Sequence, residues 1–274
     1  MGTPIGNLRD ISLRALDVLR EVDAVAAEDT RVTARLLERY GIGKRLISVH
    51  EHNERRAVGQ ILQLLSAGKS LALACDAGTP AISDPGALVV GAVRAAGFAV
   101  MPIPGPSAAV AAVSAAGLAA PHFLFYGFLP PRPAPRRRAL AQLAALPYAL
   151  VFYEAPHRLM DCIADLRSVL GGERRIVIAR ELTKLFESIH QCALADAATW
   201  LAGDPDRGRG EFVLIVDGAA PAARDADDNA RRTLQLLLDH LPLKQAVTLA
   251  AKLAGGRRND LYRMALGMKK GRES

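Results

Sequence analysis

The chain has 274 residues, half of them hydrophobic and 23% charged, which suits one large or two ordinary globular cores and excludes a disordered chain. The net charge of +7 is uneven: residues 244–274 hold eight Lys/Arg against Asp260 and Glu273, while the remainder is near neutral, so the basic end points to a polyanion partner. Cys75, Cys162 and Cys192 are odd in number and form no C-x-x-C pair, which argues against a disulfide framework or zinc site and fits a reducing cytoplasm, and the long uncharged stretch from Ala95 to Phe123 is broken by Pro102, Pro104, Pro106 and Gly117, so it is no membrane helix.

The opening "MGTPIGN" reads as a tight loop, followed by a helix that Ser12 caps and Leu13, Leu16 and Leu19 face. "AVAAE" reads as a buried strand and "TRVTARLLERYG" as a helix closed by Gly41. Strand "RLISV" precedes a helix from Asn53, as cap, to Gly68. Then come strand "SLALAC", loop "DAGTPAISDPG", helix "ALVVGAVRAAG", strand "FAVMPI", loop "PGPS" and a small-residue helix "AAVAAVSAAGL". This alternation means α/β with a mainly parallel sheet.

After Pro121 the pattern changes. "FLFYGFL" and "YALVFYE" read as strands around a Pro/Arg segment, "PPRPAPRRR". A helix "HRLMDCIADLRSVLG" and a strand "RRIVIARE" follow, and "SIHQCAL" with "EFVLIVDG" reads as an antiparallel pair. "AAPAARDADD" reads as a linker, and helices over 227–239, 242–254 and 258–268 finish the chain. The expected organisation is an α/β domain over 1–119, a second over 120–218, and a basic helical region over 226–274.

"TPIGN", "DAGTPAISDPG" and "PIPGPSA" fall beyond strand ends, where open α/β sheets bind ligands. Gly lets a backbone approach a ligand closely and Pro presets the turn. The chain has neither G-x-x-x-x-G-K-[ST] nor a G-x-G-x-x-G after a strand, and these loops carry no Lys or Arg. They therefore suit a near-neutral ligand held by backbone groups and small hydroxyls better than a phosphate-rich one. "HEHNE" at 50–54 has an H-x-H look but no third ligand at a sensible spacing, so no metal is expected.

Taken together and in order, "TPIGNLRDIS", "AAEDTR", "DAGTPAISDPG", "PGPSA", "YEAPHRL" and "LTKLFE" resemble the tetrapyrrole-methylase superfamily, and within it the small-subunit rRNA methyltransferases. The resemblance covers nearly the whole chain, including "LPLKQAVTLAAKLAGGRRNDLY". It implies two α/β domains with S-adenosylmethionine in the cleft between them, a helical end and a homodimer. It also implies methylation of the ribose 2′-hydroxyl of a decoding-region cytidine of 16S rRNA, in the assembled small subunit. Cofactor contact carries over to Pro4, Ile5, Gly6, Asp76, Ala77, Gly78, Thr79, Ser83, Pro106, Ser107 and Ala108. The family has an apolar strand before the first loop that this sequence lacks, so the true start is expected upstream of Met1.

A ribose hydroxyl is a poor nucleophile, so a base is chemically useful. Glu28, Asp29, Glu154 and His157 follow strand ends, and Asp29 with His157 is the pair expected to flank the hydroxyl. The alternative for each is service at a helix start. Arg31 and Arg158 suit phosphate or carboxylate pairing, and Arg180, Lys184 and Glu187 suit a salt-bridged loop. RNA phosphates are expected on Arg132, Arg136, Arg137, Arg138, Lys244, Lys252, Arg257 and Arg258, with shape rather than base stacking giving specificity because Tyr262 is the lone aromatic of the tail. Two rival readings remain: a methyltransferase for a small molecule such as a tetrapyrrole, and a ribosome-binding protein without catalysis.

Overall fold

The computed structural model describes residues 1–118, 122–220, 223–254 and 258–270, of which 223–229 and 269–270 are described by backbone alone. They form two compact units, Met1–Gly218 and Ala219–Ser274. The expected boundary at 119/120, Arg257, and the side chains of Lys269, Lys270 and Arg272 lie outside the described residues.

The first unit holds two sheets. One is parallel and three-stranded, in the order β2-β1-β3, from β1 (Ala24–Ala27), β2 (Arg45–Ser48) and β3 (Leu71–Ala74). Central β1 is buried throughout because it is covered on both faces. Val25 packs on one side among Ala15, Leu16, Leu19 and Leu37, from helices α1 (Leu13–Glu21) and α2 (Thr30–Arg39). Ala26 packs on the other among Ala57, Ile61, Val89 and Val93, from α3 (Glu54–Ser66) and α4 (Ala87–Ala95). Ser12 caps α1 by accepting from the Ala15 amide, as expected, and Gly41 (φ 64°) follows α2 in the left-handed region. Residues 98–103, expected as a strand, form none. Pro102 and Pro104 lack amide donors, so that stretch cannot sustain a ladder.

The second sheet has five strands in the order β4-β5-β8-β6-β7: β4 (Phe123–Phe128), β5 (Ala149–Glu154), β6 (Arg175–Arg180), β7 (Ser188–Ala193) and β8 (Phe212–Val216). β4 and β5 are parallel, and the other pairs are antiparallel. The expected pairing of 188–193 with 212–216 is corrected: each pairs with β6, and β8 inserts between β5 and β6. The burial explains it. All five residues of "FVLIV" are buried, as a central strand requires, whereas the polar alternation of β7 fits an edge.

One face of this sheet packs on α7 (Leu159–Leu170), α8 (Leu194–Ala202) and α6 (Pro133–Leu143). The Pro/Arg segment is thus largely helical, with Pro133 at the first position, where its missing amide donor is harmless. The other face packs on α5 (Ala108–Ala115), whose buried Ala109 and Ala112 allow close approach to Val151, Val177 and Ile215. Helix α5 therefore fixes the preceding "PGPS" loop to the second sheet.

In the second unit, α9 (Ala223–Leu238), α10 (Leu243–Leu253) and α11 (Arg258–Lys270) close on Ala230, Leu234, Ala246, Val247, Ala250, Leu261 and Ala265. Helix α9 begins at Ala223, so "ARDADD" is helical and not linker.

Candidate active site

Three loops of the first unit meet through their backbones. Thr3 and Gly78 exchange amide–carbonyl bonds of 2.8 and 3.1 Å, and the buried Thr3 hydroxyl donates to Cys75 O and Gly78 O. Gly2 N donates to Ile103 O at 3.1 Å. A Cβ on Gly105 would lie 2.8 Å from Gly2 Cα, so only glycine permits that contact. Thr79 Oγ1 donates to Pro106 O at 3.2 Å, and Ile5 packs beside Gly78. The expected cofactor positions on these loops, Pro4, Ile5, Gly6, Ala77, Gly78, Thr79 and Pro106, are brought together.

The opposite wall comes from the second sheet. Asn7 N donates to Thr183 Oγ1 at 3.0 Å, and Gly6 lies against Thr183 and Lys184. Ser83 Oγ sits 2.7 Å from where a Cβ on Gly127 would stand. The Tyr153 hydroxyl accepts from Ala109 N at 3.2 Å, which links β5 to the start of α5 beside Ser107 and Ala108. Four non-glycine residues with left-handed φ cluster on these walls: Ala81 and Ser83 on one, Glu181 and Thr183 on the other. Such strain persists where the surroundings over-determine the backbone, as at ligand sites.

Carboxylates gather beside the loops. Asp76 Oδ1 accepts from Asp29 N at 2.9 Å, and Glu28 Oε2 accepts from Asp76 N at 3.3 Å. Burial, then the nearby Glu28 and Asp76 charges, push the Asp84 carboxyl up to about 6, while a hydrogen bond from Cys75 opposes this. Burial and the Asp84 charge push the Cys75 thiol up to about 12, so it stays protonated. This set suits a cationic ligand; a polyphosphate would be repelled. Tyr153 is the member that sequence reasoning missed, and no local signal marks it. Asp84 lies inside "SDPG", a motif to which the resemblance carries cofactor contact, though nothing local distinguishes its carboxyl.

The expected bases differ in setting. Asp29 caps α2 through Arg31 N and is gripped by the Arg31 guanidinium, with Nε–Oδ1 3.0 Å and Nη2–Oδ2 2.6 Å. The Arg31 hydrogen bonds hold Asp29 down at about 2. His157 is exposed in a short 3-10 turn after β5. Glu154 is fully buried, accepts from Ala155 N at 2.9 Å and faces Arg158. Arg158 Nη2 donates to Leu129 O at 2.6 Å, while its Nε, 3.1 Å from Glu154 Oε1, is misdirected and makes no hydrogen bond. Arg158 is thus turned inward, away from any phosphate.

Of the expected RNA-contacting arginines, Arg132 and Arg138 are exposed. Arg136 is 1% exposed and paired with buried Asp165 at 2.6 Å, so it braces α6 on α7 and is withdrawn from the surface. Arg137 shares Asp165 at 3.0 Å but stays half exposed. Lys244, Lys252 and Arg258 are exposed, and Arg31 is 86% exposed. Lys184 pairs with Glu181 and Glu211, as a salt-bridged loop, while Glu187 accepts from Thr183 N. In "HEHNE", Glu54 Oε1 accepts from Gly86 N, Leu88 N and Val89 N, capping α4. Asn53 is the N-cap residue of α3, as expected, although its side chain accepts from His50 N and not from an amide of the helix. Among the described residues no group of three or more His, Cys, Asp or Glu is placed to hold a metal.

Residues 1–198 match the family described as Tetrapyrrole (Corrin/Porphyrin) Methylases, and residues 223–269 match the RsmI C-terminal HTH domain. The chain is 51% identical to the ribosomal RNA small subunit methyltransferase I of Pseudomonas aeruginosa, over 97% of this chain and 95% of that one. It is 48% identical to the protein of that name from Escherichia coli O157:H7, over 96% and 92%. Among solved structures, the methyltransferase CobJ matches with a TM-score of 0.61 at 22% identity, over 80% of this chain and 92% of that one. The cobalt precorrin-4 methyltransferase CbiF matches with 0.58 at 18% identity, over 78% and 92%. These last two show the shared fold. The chain belongs to the tetrapyrrole methylase family, in the group of the ribosomal RNA small subunit methyltransferases I.

Proposed function

We propose that this methyltransferase moves a methyl group from S-adenosylmethionine to the ribose 2′-hydroxyl of a decoding-region cytidine of 16S rRNA, acting as a cytoplasmic homodimer on the assembled small subunit. The observation that carries the reading is the set Glu28, Asp76 and Asp84 beside three loops joined through their backbones. The cofactor carries a sulfonium and an ammonium, and it supplies an activated methyl group when bound. Asp76 and Asp84 are the residues to face those cations. Backbone groups of Pro4–Gly6, Ala77–Thr79 and Pro106–Ala108 are the ones to grip the rest. Much of the acceleration can then come from positioning.

The proton of the hydroxyl goes to His157 in this reading. Asp29, held at about 2 by Arg31, is too weak a base and serves to orient Arg31 toward the substrate backbone. The exposed cations of the helix-turn-helix region, Lys244, Lys252 and Arg258, with Arg132 and Arg138, hold RNA phosphates. They favour this reading over a small-molecule methyltransferase, which has no use for them. The test is incubation with small subunits from a strain lacking the modification, followed by nucleoside mass spectrometry. A ribose-methylated cytidine is expected, with His157→Ala lowering kcat and leaving cofactor affinity unchanged. Methylation on a base, or none, overturns the proposal.

A further inference from the structure

Strand β4 carries an irregularity that changes what faces the cleft. Phe125 pairs with Val151, but Gly127 pairs with Phe152 and Phe128 with Tyr153, so Tyr126 is an extra, bulged residue. Because side chains alternate along a strand, an unbulged β4 would bring Gly127 opposite Tyr153 and send Phe128 to the far face. The bulge instead puts Phe125 and Phe128 on the face of Tyr153. Their rings make edge-on contacts with it, at 4.9 and 5.6 Å between centroids. Gly127, at φ 80°, lies against Ser83, and the Tyr153 hydroxyl holds the start of α5 through Ala109 N, directly after the "PGPS" loop. The aromatic group is therefore tied to two of the cofactor loops. Tyr153 is half-buried, whereas Phe128 is 52% exposed at the end of an edge strand. Four residues later stands the exposed Arg132, the residue before α6.

Resting on the reading above, we propose that Phe128 is the stacking platform for the nucleobase of the target nucleotide, aimed there by the bulge, with Arg132 on a flanking phosphate. A half-exposed aromatic face followed four residues on by an exposed cation supplies the two groups that hold an unstacked base and its backbone. The adenine of the cofactor is the other planar group that could use this face. The exposure of Phe128 and its nearness in sequence to Arg132 favour the RNA.

The experiment compares wild type, Phe128→Ala and Phe128→Trp for methyl transfer to unmodified small subunits, for cofactor affinity by calorimetry, and for mass by sedimentation. Phe128→Ala should lose about 10–100-fold in kcat/KM for the subunit, with cofactor affinity within about twofold of wild type. Phe128→Trp should recover most of that loss. Undiminished transfer by Phe128→Ala overturns the platform, as does an equal loss of cofactor affinity, which would assign the face to adenine. A changed oligomeric state overturns it too, by making Phe128 a contact between copies. Failure of the wild type to methylate the subunit would instead defeat the parent reading.

Discussion

In the cleft, Thr3, Gly78, Gly2 and Gly105 meet through main-chain atoms, and the nearby side chains include Asp76 and Asp84. In the carboxy-terminal unit, α9, α10 and α11 close on alanine and leucine side chains, and Lys244, Lys252 and Arg258 are exposed. The two regions differ in sign of charge and in what fixes their shape. A cavity set by backbone contacts has no compliant partner to absorb an added atom. A helical core with its cations outside tolerates surface change but responds to salt.

The sharpest test of that contrast uses glycine. Gly105→Ala forces a Cβ within 2.8 Å of Gly2 Cα, and should cost about 1–3 kcal/mol of stability and abolish measurable cofactor binding. Gly267→Ala in α11 meets no atom within 4 Å and should raise stability by about 0.5–1 kcal/mol. Urea denaturation of both variants decides it; equal responses would break the comparison.

A second test uses the buried and exposed arginines of α6. Asp165→Ala leaves the Arg136 guanidinium buried without its partner and should cost about 3–5 kcal/mol, read as a lowered Tm. Arg138→Ala, on the exposed side, should leave Tm unchanged.

The charged surface answers to salt. Replacing Lys244, Lys252 and Arg258 by alanine should weaken subunit binding about equally for any RNA sequence. It should also flatten the plot of log affinity against log salt by roughly 0.7–0.9 for each phosphate that is no longer neutralised. Cofactor affinity should not move. A change in cofactor affinity without a change in slope would reverse the assignment of the two regions.

The smallest effect is pH-dependent and belongs to the cleft. Asp84 holds its proton up to about 6, and a bound cation favours the ionised form, so cofactor affinity should fall as pH drops through that value. Calorimetry should find a loss of about tenfold near pH 5. Asp84→Asn should bind weakly with no slope in this window. The stability effect has its own sign. A carboxyl whose value is raised by folding disfavours the native state once ionised, so stability falls as pH rises from about 4 to about 6. Asp84 is half-buried, and solvent screening reduces its stabilising substitution by Asn to the order of 1 kcal/mol at neutral pH.

Local patterns in the sequence were enough for most of the fold. Ser12 and Gly41 mark helix ends by their own chemistry, "AVAAE" is buried by its composition, and "DAGTPAISDPG" follows β3, where a parallel sheet places a ligand loop, although among the described residues no strand precedes the other two Gly/Pro loops. The motif set was enough for the family. Tertiary structure decided what depends on long-range pairing. Nothing near residues 188–193 or 212–216 says that both bond to β6, because an apolar run does not name its neighbour. Arg136 and Arg138 are equivalent in sequence, yet helical spacing puts one on Asp165 and the other in water. The Asp84 carboxyl acquires its raised value from its burial and then from Glu28, far away along the chain, with a smaller push from Asp76 at the other end of its own loop. One extra residue at Tyr126 decides whether Phe128 faces the cleft, and only the strand register reveals it.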